Sequence, residues 1–299
     1  MSATHTLITG SSSGFGLLTA RTLLRAGQTV FASMRGVGGK NAEIAEGLQR
    51  FSTDTTGTVH ILELDVCSED SVENAVRRAT DIGGRIDVAV NNAGLGVQGH
   101  AESFTPEEYR KLFEVNFLGV QRVNRAVLPS MRQRGSGLLI HVSSVMGRTV
   151  IPFSAPYTAT KWALEGLAES YRYELAATGV DVAIVEPGGF ATGFAERVIE
   201  PTDTRRIEGY GALADAPQRM WDGVMETLEG RDAPDPQDVA DAILRLIETP
   251  AGKRPLRTVV DPMTGGGGPR TLNTAADAVQ REMFEAFGLQ DMLAVRRDG

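Results

Sequence analysis

The chain has 299 residues, 41% of them hydrophobic, and is therefore long enough to bury a full core in one large domain. Its formal net charge of −8 disfavours nucleic acid and anionic membranes as partners, because both would repel it. The single cysteine, Cys67, excludes an internal disulfide and a multi-cysteine metal site, so we expect a structural thiol, a reducing compartment and no bound metal.

Short apolar runs rich in β-branched residues alternate with longer helical patterns along most of the chain. The predicted strands are residues 6–9, 29–33, 59–64, 88–91, 138–143, 180–186 and 258–261. The predicted helices include residues 16–26, 68–82, 105–134 and 155–177. Short buried strands separated by helices indicate a parallel sheet covered on both faces, so we predict a single doubly wound α/β domain of the Rossmann type over residues 1–299.

Two helix starts are marked by their capping residues. Residues 105–108 read Thr-Pro-Glu-Glu, which combines an N-cap hydroxyl, a proline at the first helical position and a glutamate at the third. Asp235 and Pro236 begin a second helix in the same way. The glycine run at residues 265–268 predicts a flexible joint, followed by a short C-terminal helix within an extension over residues 269–299.

The N-terminal segment carries neither the basic region nor the apolar region of a signal peptide. No stretch approaches the roughly 18 consecutive apolar residues that a membrane span needs. We therefore expect a cytoplasmic protein without a membrane segment.

A glycine-rich loop links the first predicted strand to the first predicted helix. Glycines let the backbone turn tightly and approach a pyrophosphate, whose charge is favoured by the helix N-terminus. The candidate cofactor-binding residues of this loop are Gly10, Ser12, Ser13, Gly14, Phe15 and Gly16. The alternative is a tight strand-to-helix turn that binds nothing, which the position after the first strand of an α/β pattern disfavours.

The end of the second predicted strand bears on which dinucleotide such a loop would bind. An NAD site usually has a carboxylate here, which accepts hydrogen bonds from the ribose hydroxyls, and Met34 cannot do this. Arg35 instead offers a planar guanidinium that suits a 2′-phosphate. We predict NADP(H) as the cofactor, with a solvated surface arginine as the alternative reading of Arg35.

Tyr157 and Lys161 are four residues apart on a predicted helix and therefore share one face. The lysine ammonium is expected to stabilise the phenolate and to lower the tyrosine pKa from about 10, so that the phenol can exchange a proton. The alternative is a surface pair on an ordinary helix. Upstream, the serines at 143 and 144 end the fifth predicted strand, where a hydroxyl can donate to a substrate carbonyl or alkoxide.

Together these features resemble the classical short-chain dehydrogenase/reductase family from about residue 6 to residue 192. Residues 91–94, Asn-Asn-Ala-Gly, are similar to a family motif and supply the candidate cofactor-binding residues Asn92, Ala93 and Gly94. Asp65 and Val66 resemble the pair that contacts adenine, and Pro187, Gly188 and Thr192 resemble the motif on the nicotinamide side. The Met34–Arg35 pair resembles the NADP-preferring subset, which includes some hydroxysteroid dehydrogenases.

The resemblance also implies a catalytic tetrad of Asn116, Ser144, Tyr157 and Lys161. Lys161 would bind the nicotinamide ribose and Tyr157 would contact the same cofactor, Ser144 would orient the carbonyl, and Asn116 would help to position a water in a proton relay. The spacing from serine to tyrosine in the family selects Ser144 over its neighbour. The resemblance further implies a homodimer or homotetramer.

Residues 190–235 are expected to form a helical lid over the substrate. Its apolar residues are Phe190, Phe194, Tyr210, Met220, Trp221, Val224, Met225 and Leu228. They indicate a lipophilic or aromatic substrate, unless Met220, Val224 and Leu228 form only an ordinary helix face against the core. An apolar stripe of Ala276, Val279, Met283 and Phe287 either covers the pocket or packs on a partner subunit.

The sequence therefore predicts an NADP(H)-dependent oxidoreductase that interconverts a carbonyl compound and a secondary alcohol, with hydride exchanged by the cofactor and the proton by Tyr157. One alternative is a non-catalytic protein that binds NADP(H) as a sensor. Another is an NAD-dependent alcohol dehydrogenase, which would follow if Arg35 points away from the cofactor.

Overall fold

Seven parallel strands form one sheet in the computed structural model, which describes residues 3–193 and 197–295. The strands are β1 (His5–Thr9), β2 (Thr29–Met34), β3 (Thr58–Glu63), β4 (Val88–Asn91), β5 (Gly137–Val142), β6 (Val180–Pro187) and β7 (Arg257–Val260). Their order across the sheet is β3-β2-β1-β4-β5-β6-β7. Each of the seven predicted strands is present, so the predicted doubly wound fold is confirmed.

Helices cover both faces of the sheet. They are α1 (Gly14–Arg25), α2 (Ala42–Thr53), α3 (Glu69–Gly83), α4 (Pro106–Phe113), α5 (Gly119–Arg134), α6 (Ala155–Glu174), α7 (Thr204–Gly209), α8 (Ala216–Leu228), α9 (Gln237–Glu248) and α10 (Gly267–Phe287). Successive residues of a strand point to opposite faces. Accordingly, Ile8 packs in the core on the side of α1 and α9, whereas Leu7 packs in the core on the side of α3, α5 and α6.

The long helix predicted over residues 105–134 is interrupted. The capping box at Thr105 and Glu108 starts α4 as predicted, with the Thr105 hydroxyl accepting from the Glu108 backbone and the Glu108 carboxylate accepting from the Thr105 backbone. A π-helical turn, Glu114–Leu118, then joins α4 to α5. Such a turn accommodates one extra residue within the helix, which changes the direction of the side chains it carries.

The glycine run near the C-terminus begins a helix instead of preceding one. Gly265 and Gly266 have left-handed backbone angles, with φ of +72° and +65°, and α10 starts at the next residue. With 21 residues, α10 is longer than the short helix that we expected. It is attached to the body of the protein by Phe284, whose ring packs at 4.7 Å from that of Tyr173.

Two negative findings concern the described part of the chain. None of its helices has both the length and the apolar character that crossing a bilayer requires. Within residues 3–193 and 197–295, no cluster of His, Cys, Asp and Glu side chains is arranged to hold a metal ion.

Candidate active site

A cavity of about 640 Å³ opens at the carboxyl ends of the strands, beside the point between β1 and β4 where the strand order reverses. Ligands bind at this point in doubly wound folds. Predicted site residues in its wall are Gly10, Ser12, Ser13, Gly14, Phe15, Arg35, Asp65, Val66, Asn92, Ala93, Gly94, Ser144, Tyr157, Lys161, Pro187, Gly188 and Thr192. Gly16 and Asn116 lie behind the wall.

The glycine-rich loop has the shape of a phosphate cradle. Gly10 adopts a left-handed conformation with φ of +71°. A Cβ at Gly16 would lie only 2.3 Å from the Gly10 carbonyl oxygen, so this glycine allows the loop to fold onto itself instead of contacting a ligand. The N-cap Ser13 makes no side-chain hydrogen bond to the first turn of α1. The amides of that turn therefore suit an anionic group in the cavity.

Asn92 holds this loop in place. Its Nδ2 donates to the carbonyl oxygens of Thr9 at 2.9 Å and Gly10 at 3.2 Å. The Thr9 hydroxyl in turn accepts from the backbone amides of Asn92 and Ala93, both at 3.0 Å. Sequence reasoning missed Thr9, although its hydroxyl stands directly before the first loop glycine. These bonds tie the end of β1 to the end of β4.

Two cationic side chains, Arg35 and Lys40, line the cavity near the carboxyl end of β2. Arg35 is 55% exposed in its side chain, and its guanidinium lies 4.0 Å from the Asp65 carboxylate. Lys40 and Asn41 line the same wall, and Asn41 Nδ2 donates to the Arg35 carbonyl at 2.6 Å. We did not predict Lys40, although it is one of only four lysines and follows Arg35 by five residues.

The loop that carries Arg35 is held by a carboxylate from β3. Glu63 accepts hydrogen bonds from the backbone amides of Gly36 at 2.8 Å and Val37 at 2.9 Å. This bidentate arrangement fixes the start of the loop after β2, so Arg35 leaves the sheet in a defined direction. Both oxygens of the Glu63 carboxylate therefore accept hydrogen bonds from the backbone of the protein itself.

Ser144, Tyr157 and Lys161 meet in the middle of the cavity wall. The Ser144 and Tyr157 side chains are hydrogen-bonded to each other. Lys161 Nζ donates to the Val142 carbonyl at 2.8 Å and lies 5.5 Å from the centre of the Tyr157 ring. The end of β5 and one face of α6 therefore present two hydroxyl groups and one amine to the same space.

The predicted lowering of the Tyr157 pKa is wrong for this structure. Burial raises the pKa of Tyr157 to about 12, and the hydrogen bond with Ser144 opposes this shift only in part. Burial also lowers the pKa of Lys161 to about 8. The lysine ammonium is directed at the Val142 carbonyl, so desolvation of the phenol dominates its pKa.

Asn116 lies in the π-helical turn, with only 1% of its surface exposed. Its Nδ2 donates to the Leu95 carbonyl at 2.9 Å and to the Thr160 hydroxyl at 3.0 Å, and its Oδ1 accepts from the Leu95 amide at 2.8 Å. Asn116 therefore joins the segment after β4 to the helix that carries Tyr157. Its side chain holds these two elements together behind the cavity wall.

Comparison with known proteins agrees with this arrangement. The sequence model described as short chain dehydrogenase matches residues 4–203. The chain belongs to the short-chain dehydrogenase family. It is 35% identical over 263 residues to 3-ketodihydrosphingosine reductase of Bacteroides thetaiotaomicron, covering 86% of this chain and 87% of the relative. It is also 35% identical to bovine (Bos taurus) retinol dehydrogenase 8, over 84% of this chain and 79% of the relative.

Solved structures show the same fold. A short-chain dehydrogenase from Streptomyces avermitilis superposes with a TM-score of 0.74 at 33% identity, covering 95% of this chain and 96% of the other. An alcohol dehydrogenase from Thermococcus sibiricus, solved in complex with 5-hydroxy-NADP, has a TM-score of 0.69 at 27% identity, covering 87% of this chain and 96% of the other. The family assignment predicted from the sequence is therefore confirmed.

The lid of this short-chain dehydrogenase lies mostly beyond the family match, which ends at residue 203. Cavity-lining lid residues are Phe190, Met220, Trp221, Val224 and Leu228. Thus Met220, Val224 and Leu228 face the site and do not form only an ordinary core-facing stripe. Phe194 lies outside the described residues, whereas Tyr210 and Met225 do not line the cavity.

Backbone and side-chain contacts attach the lid to the segment after β4. Val97 and Ile199 form an isolated parallel bridge. The ring of His100 stacks on that of Tyr210 with centroids 3.6 Å apart, and Gln98 Nε2 donates to Gln218 at 3.2 Å. These contacts hold the segment that contains α7 and α8 against the segment after β4, and α8 contributes residues to the cavity wall.

Proposed function

We propose that the protein is an NADP(H)-dependent oxidoreductase that interconverts a lipophilic ketone or aldehyde and the corresponding alcohol. The observation that carries this proposal is the meeting of Ser144, Tyr157 and Lys161 in one cavity wall, at the strand end next to a glycine-rich loop. Two hydrogen-bonded hydroxyls in a mostly enclosed site suit the binding of a carbonyl oxygen.

The residues present fit NADP(H). The left-handed Gly10 and the first turn of α1, which the Ser13 side chain does not cap, leave backbone amides available to a pyrophosphate. Arg35 and Lys40 supply positive charge at the end where the adenosine 2′-phosphate would lie, and the residue that ends β2 is Met34 instead of an acid. The complex of the Thermococcus sibiricus relative with 5-hydroxy-NADP supports the same cofactor.

The chemistry is divided between the cofactor and the protein. When bound, NADP(H) supplies or removes hydride at the substrate carbon. Tyr157, whose pKa of about 12 keeps it protonated at neutral pH, is in the state that donates a proton to a carbonyl oxygen. Ser144 shares a hydrogen bond with it and orients the same oxygen. In the reverse reaction the deprotonated phenol would accept the proton of the alcohol.

The cavity wall supports a lipophilic substrate. Beside the two hydroxyls it presents Val145, Met146, Ile151, Met220, Trp221, Val224, Leu228 and Met263. Such a surface gains free energy by burying apolar groups of a substrate. The relatives named for 3-ketodihydrosphingosine and retinol point to substrates of the same lipophilic class.

Tyr157→Phe tests the proton transfer directly, because it removes the hydroxyl and keeps the ring. We expect at least a 100-fold loss of NADPH consumption with long-chain ketones and aldehydes, in line with the loss of a general acid. NADPH affinity, measured by fluorescence titration, should stay within about twofold of the wild type, since the phenol is not expected to hold the cofactor's charge.

The control is Tyr109→Phe, which makes the same change on α4. Full turnover in Tyr157→Phe would contradict the mechanism. Tight NADPH binding by the wild type without turnover of any carbonyl compound would instead support a non-catalytic sensor.

A further inference from the structure

The helix that carries Tyr157 and Lys161 continues the same face with two acids. Glu165 follows Lys161 by four residues and Glu169 follows Glu165 by four, so all lie along one side of α6. Lys161 is 6% exposed and Glu165 only 2%. A buried ammonium requires a compensating charge or hydrogen bonds, and Glu165 is the carboxylate one turn away.

Glu165 is held in place by an arginine from β7. Arg257 Nε donates to Glu165 Oε2 at 2.9 Å, and Arg257 also contacts Glu169 at 2.5 Å, Glu186 at 3.6 Å and Asp277 at 3.7 Å. One arginine therefore faces four carboxyl groups. Burial raises the pKa of Glu186 to about 7, so not all four groups are fully charged at neutral pH. Glu165 is the one that lies a single helical turn from Lys161 on α6.

Glu165 also lies beneath the turn that follows Ser144. A Cβ at Gly147 would come within 2.9 Å of Glu165 Cγ and 2.8 Å of the Ser143 hydroxyl. The 3₁₀ turn Val145–Gly147 is thus packed directly on the Glu165 side chain. One residue consequently packs against the turn that follows Ser144 and lies one helical turn from Lys161.

The charged and titratable groups around this pair come from every packed element. They are Tyr157, Glu169 and Tyr173 on α6, His141 on β5, Glu186 on β6, Arg257 on β7, Arg148 after the 3₁₀ turn and Asp277 on α10. Burial lowers the pKa of His141 to about 3, so it is neutral beside Lys161. Burial raises the pKa of Glu165 and Arg257 opposes that shift, while Glu165 raises the pKa of Lys161.

We propose that Glu165 is a positioning residue: its carboxylate, fixed by Arg257, keeps the Lys161 side chain charged and seated against the Val142 carbonyl and supports the turn behind Ser144. The proposal rests on the function proposed above. Glu165 touches neither substrate nor cofactor in this role, and it acts through its two neighbours in the wall.

The charge of Lys161 can be measured without turnover, because the chain has only four lysines. In protein labelled with ¹³C-lysine, the Cε signal of Lys161 is assigned as the one missing from Lys161→Met and is followed between pH 6 and 11. In Glu165→Gln we expect the midpoint to fall by about one pH unit, a tenfold change in the protonation equilibrium. Removing the neighbouring negative charge favours the neutral amine, so the midpoint moves to lower pH.

Glu169→Gln is the matched control, because it removes a carboxylate from the same arginine and the same helix face one turn further from Lys161. Its midpoint should stay within about 0.2 pH units of the wild type. Glu165→Asp keeps the carboxylate but shortens the side chain by one methylene group. We expect it to lower the Lys161 midpoint by an intermediate amount, and it replaces Glu165→Gln in the test if that variant does not fold. Equal midpoints in the wild type and the Glu165 variants would overturn the proposal.

The activity profile provides the second measurement. The basic limb of kcat/KM in Glu165→Gln should move to lower pH by the same amount as the NMR midpoint, whereas Glu169→Gln should leave it in place. A general loss of activity without a displaced limb would indicate packing alone and would overturn the role in holding the lysine charge. Absence of turnover in the wild type would contradict the proposed function, while the NMR midpoints would still decide the placement of Glu165.

Discussion

We propose that the choice between the two nicotinamide cofactors depends on Arg35. Its side chain reaches the cavity from a loop fixed by Glu63, and its only ion pair within the described residues is the distant one with Asp65. A guanidinium placed in this way can move onto a phosphate without breaking a strong internal contact. Because it is more than half exposed, solvent screening reduces the strength of such a bond.

Arg35→Ala should weaken NADPH binding about tenfold, the lower end of the range for a charge-assisted hydrogen bond. NADH lacks the 2′-phosphate, so its affinity should change less than twofold. The measurement is the dissociation constant of both reduced cofactors by fluorescence, with Arg50→Ala on the outside of α2 as the control. An equal loss for both cofactors would show that Arg35 does not read the phosphate.

Tyr157 illustrates the limit of helical spacing as a guide to acidity. The interval of four residues identified two side chains that do lie on one face of α6 and in one cavity. Spacing does not reveal where the ammonium points, and Lys161 donates to the Val142 carbonyl. It also does not reveal how deeply the phenol is desolvated, which is the larger influence on its pKa.

The capping box of α4 affects more than one helix end. Besides closing the N-terminus of α4, Glu108 accepts through Oε1 from the backbone amide of Thr202 in the lid at 3.1 Å. The same carboxylate therefore caps the N-terminus of α4 and also holds the lid at Thr202. This double use was not visible in the sequence, where residues 105–108 indicate only a helix start.

Thr105→Ala should lower the free energy of unfolding by about 1 kcal/mol, as expected for loss of an N-cap hydroxyl. Glu108→Ala should cost more, because it also releases Thr202. Urea denaturation monitored by circular dichroism measures both changes. Glu107→Ala is the control, since among residues 3–193 and 197–295 this exposed side chain pairs only with Arg110, and its loss should change stability by less than about 0.5 kcal/mol. Similar losses in all three variants would contradict a specific capping role.

The five central strands could be predicted because their apolar runs are buried on both faces, which leaves a pattern in composition alone. The π-helical turn could not, because it is a shift in backbone hydrogen bonding with no characteristic residue pattern. Asn116 was identified only through resemblance. Its bonds to Leu95 and Thr160 depend on that turn and on the packing of α6 against it.

The loop residues that line the cavity could not be predicted from the sequence either. Lys40, Asp261 and Thr264 line the cavity from segments without a motif. Their positions depend on how the loops after β2 and β7 fold over the strand ends. Such positions require the three-dimensional path of the chain, whereas the glycine loop and the Tyr-Lys pair are defined within a few residues of sequence.

At the scale of the whole molecule, the stack of His100 on Tyr210 is one of the aromatic contacts that join the lid to the body, beside the edge-on pair of Phe15 and Phe190. Tyr210→Ala should loosen α7 and α8 at a cost of about 1 kcal/mol. For a long-chain carbonyl substrate, KM should rise roughly fivefold, while the affinity for NADPH should be unchanged. The control is Leu213→Ala, a neighbouring side chain that is 59% exposed. An unchanged KM would show that the remaining contacts, including the Val97–Ile199 bridge and the Gln98–Gln218 hydrogen bond, suffice to hold the lid.

The apolar stripe on α10 was open to two interpretations. Val279, Met283 and Phe287 are exposed, and none of them lines the described cavity. The helix is instead attached through Phe284 and through Asn273, whose Nδ2 donates to the buried Glu186 carboxylate at 2.7 Å. In the described structure the stripe does not cover the pocket.

The lid, residues 190–235, connects two parts of the chain that belong to the same sheet. It leaves at the end of β6 and rejoins the body at α9 and β7, next to the strand it left. Both ends of the lid are therefore attached to neighbouring strands of one sheet. A change in the length or composition of residues 190–235 therefore need not alter the strand order of the sheet or the positions of Ser144, Tyr157 and Lys161.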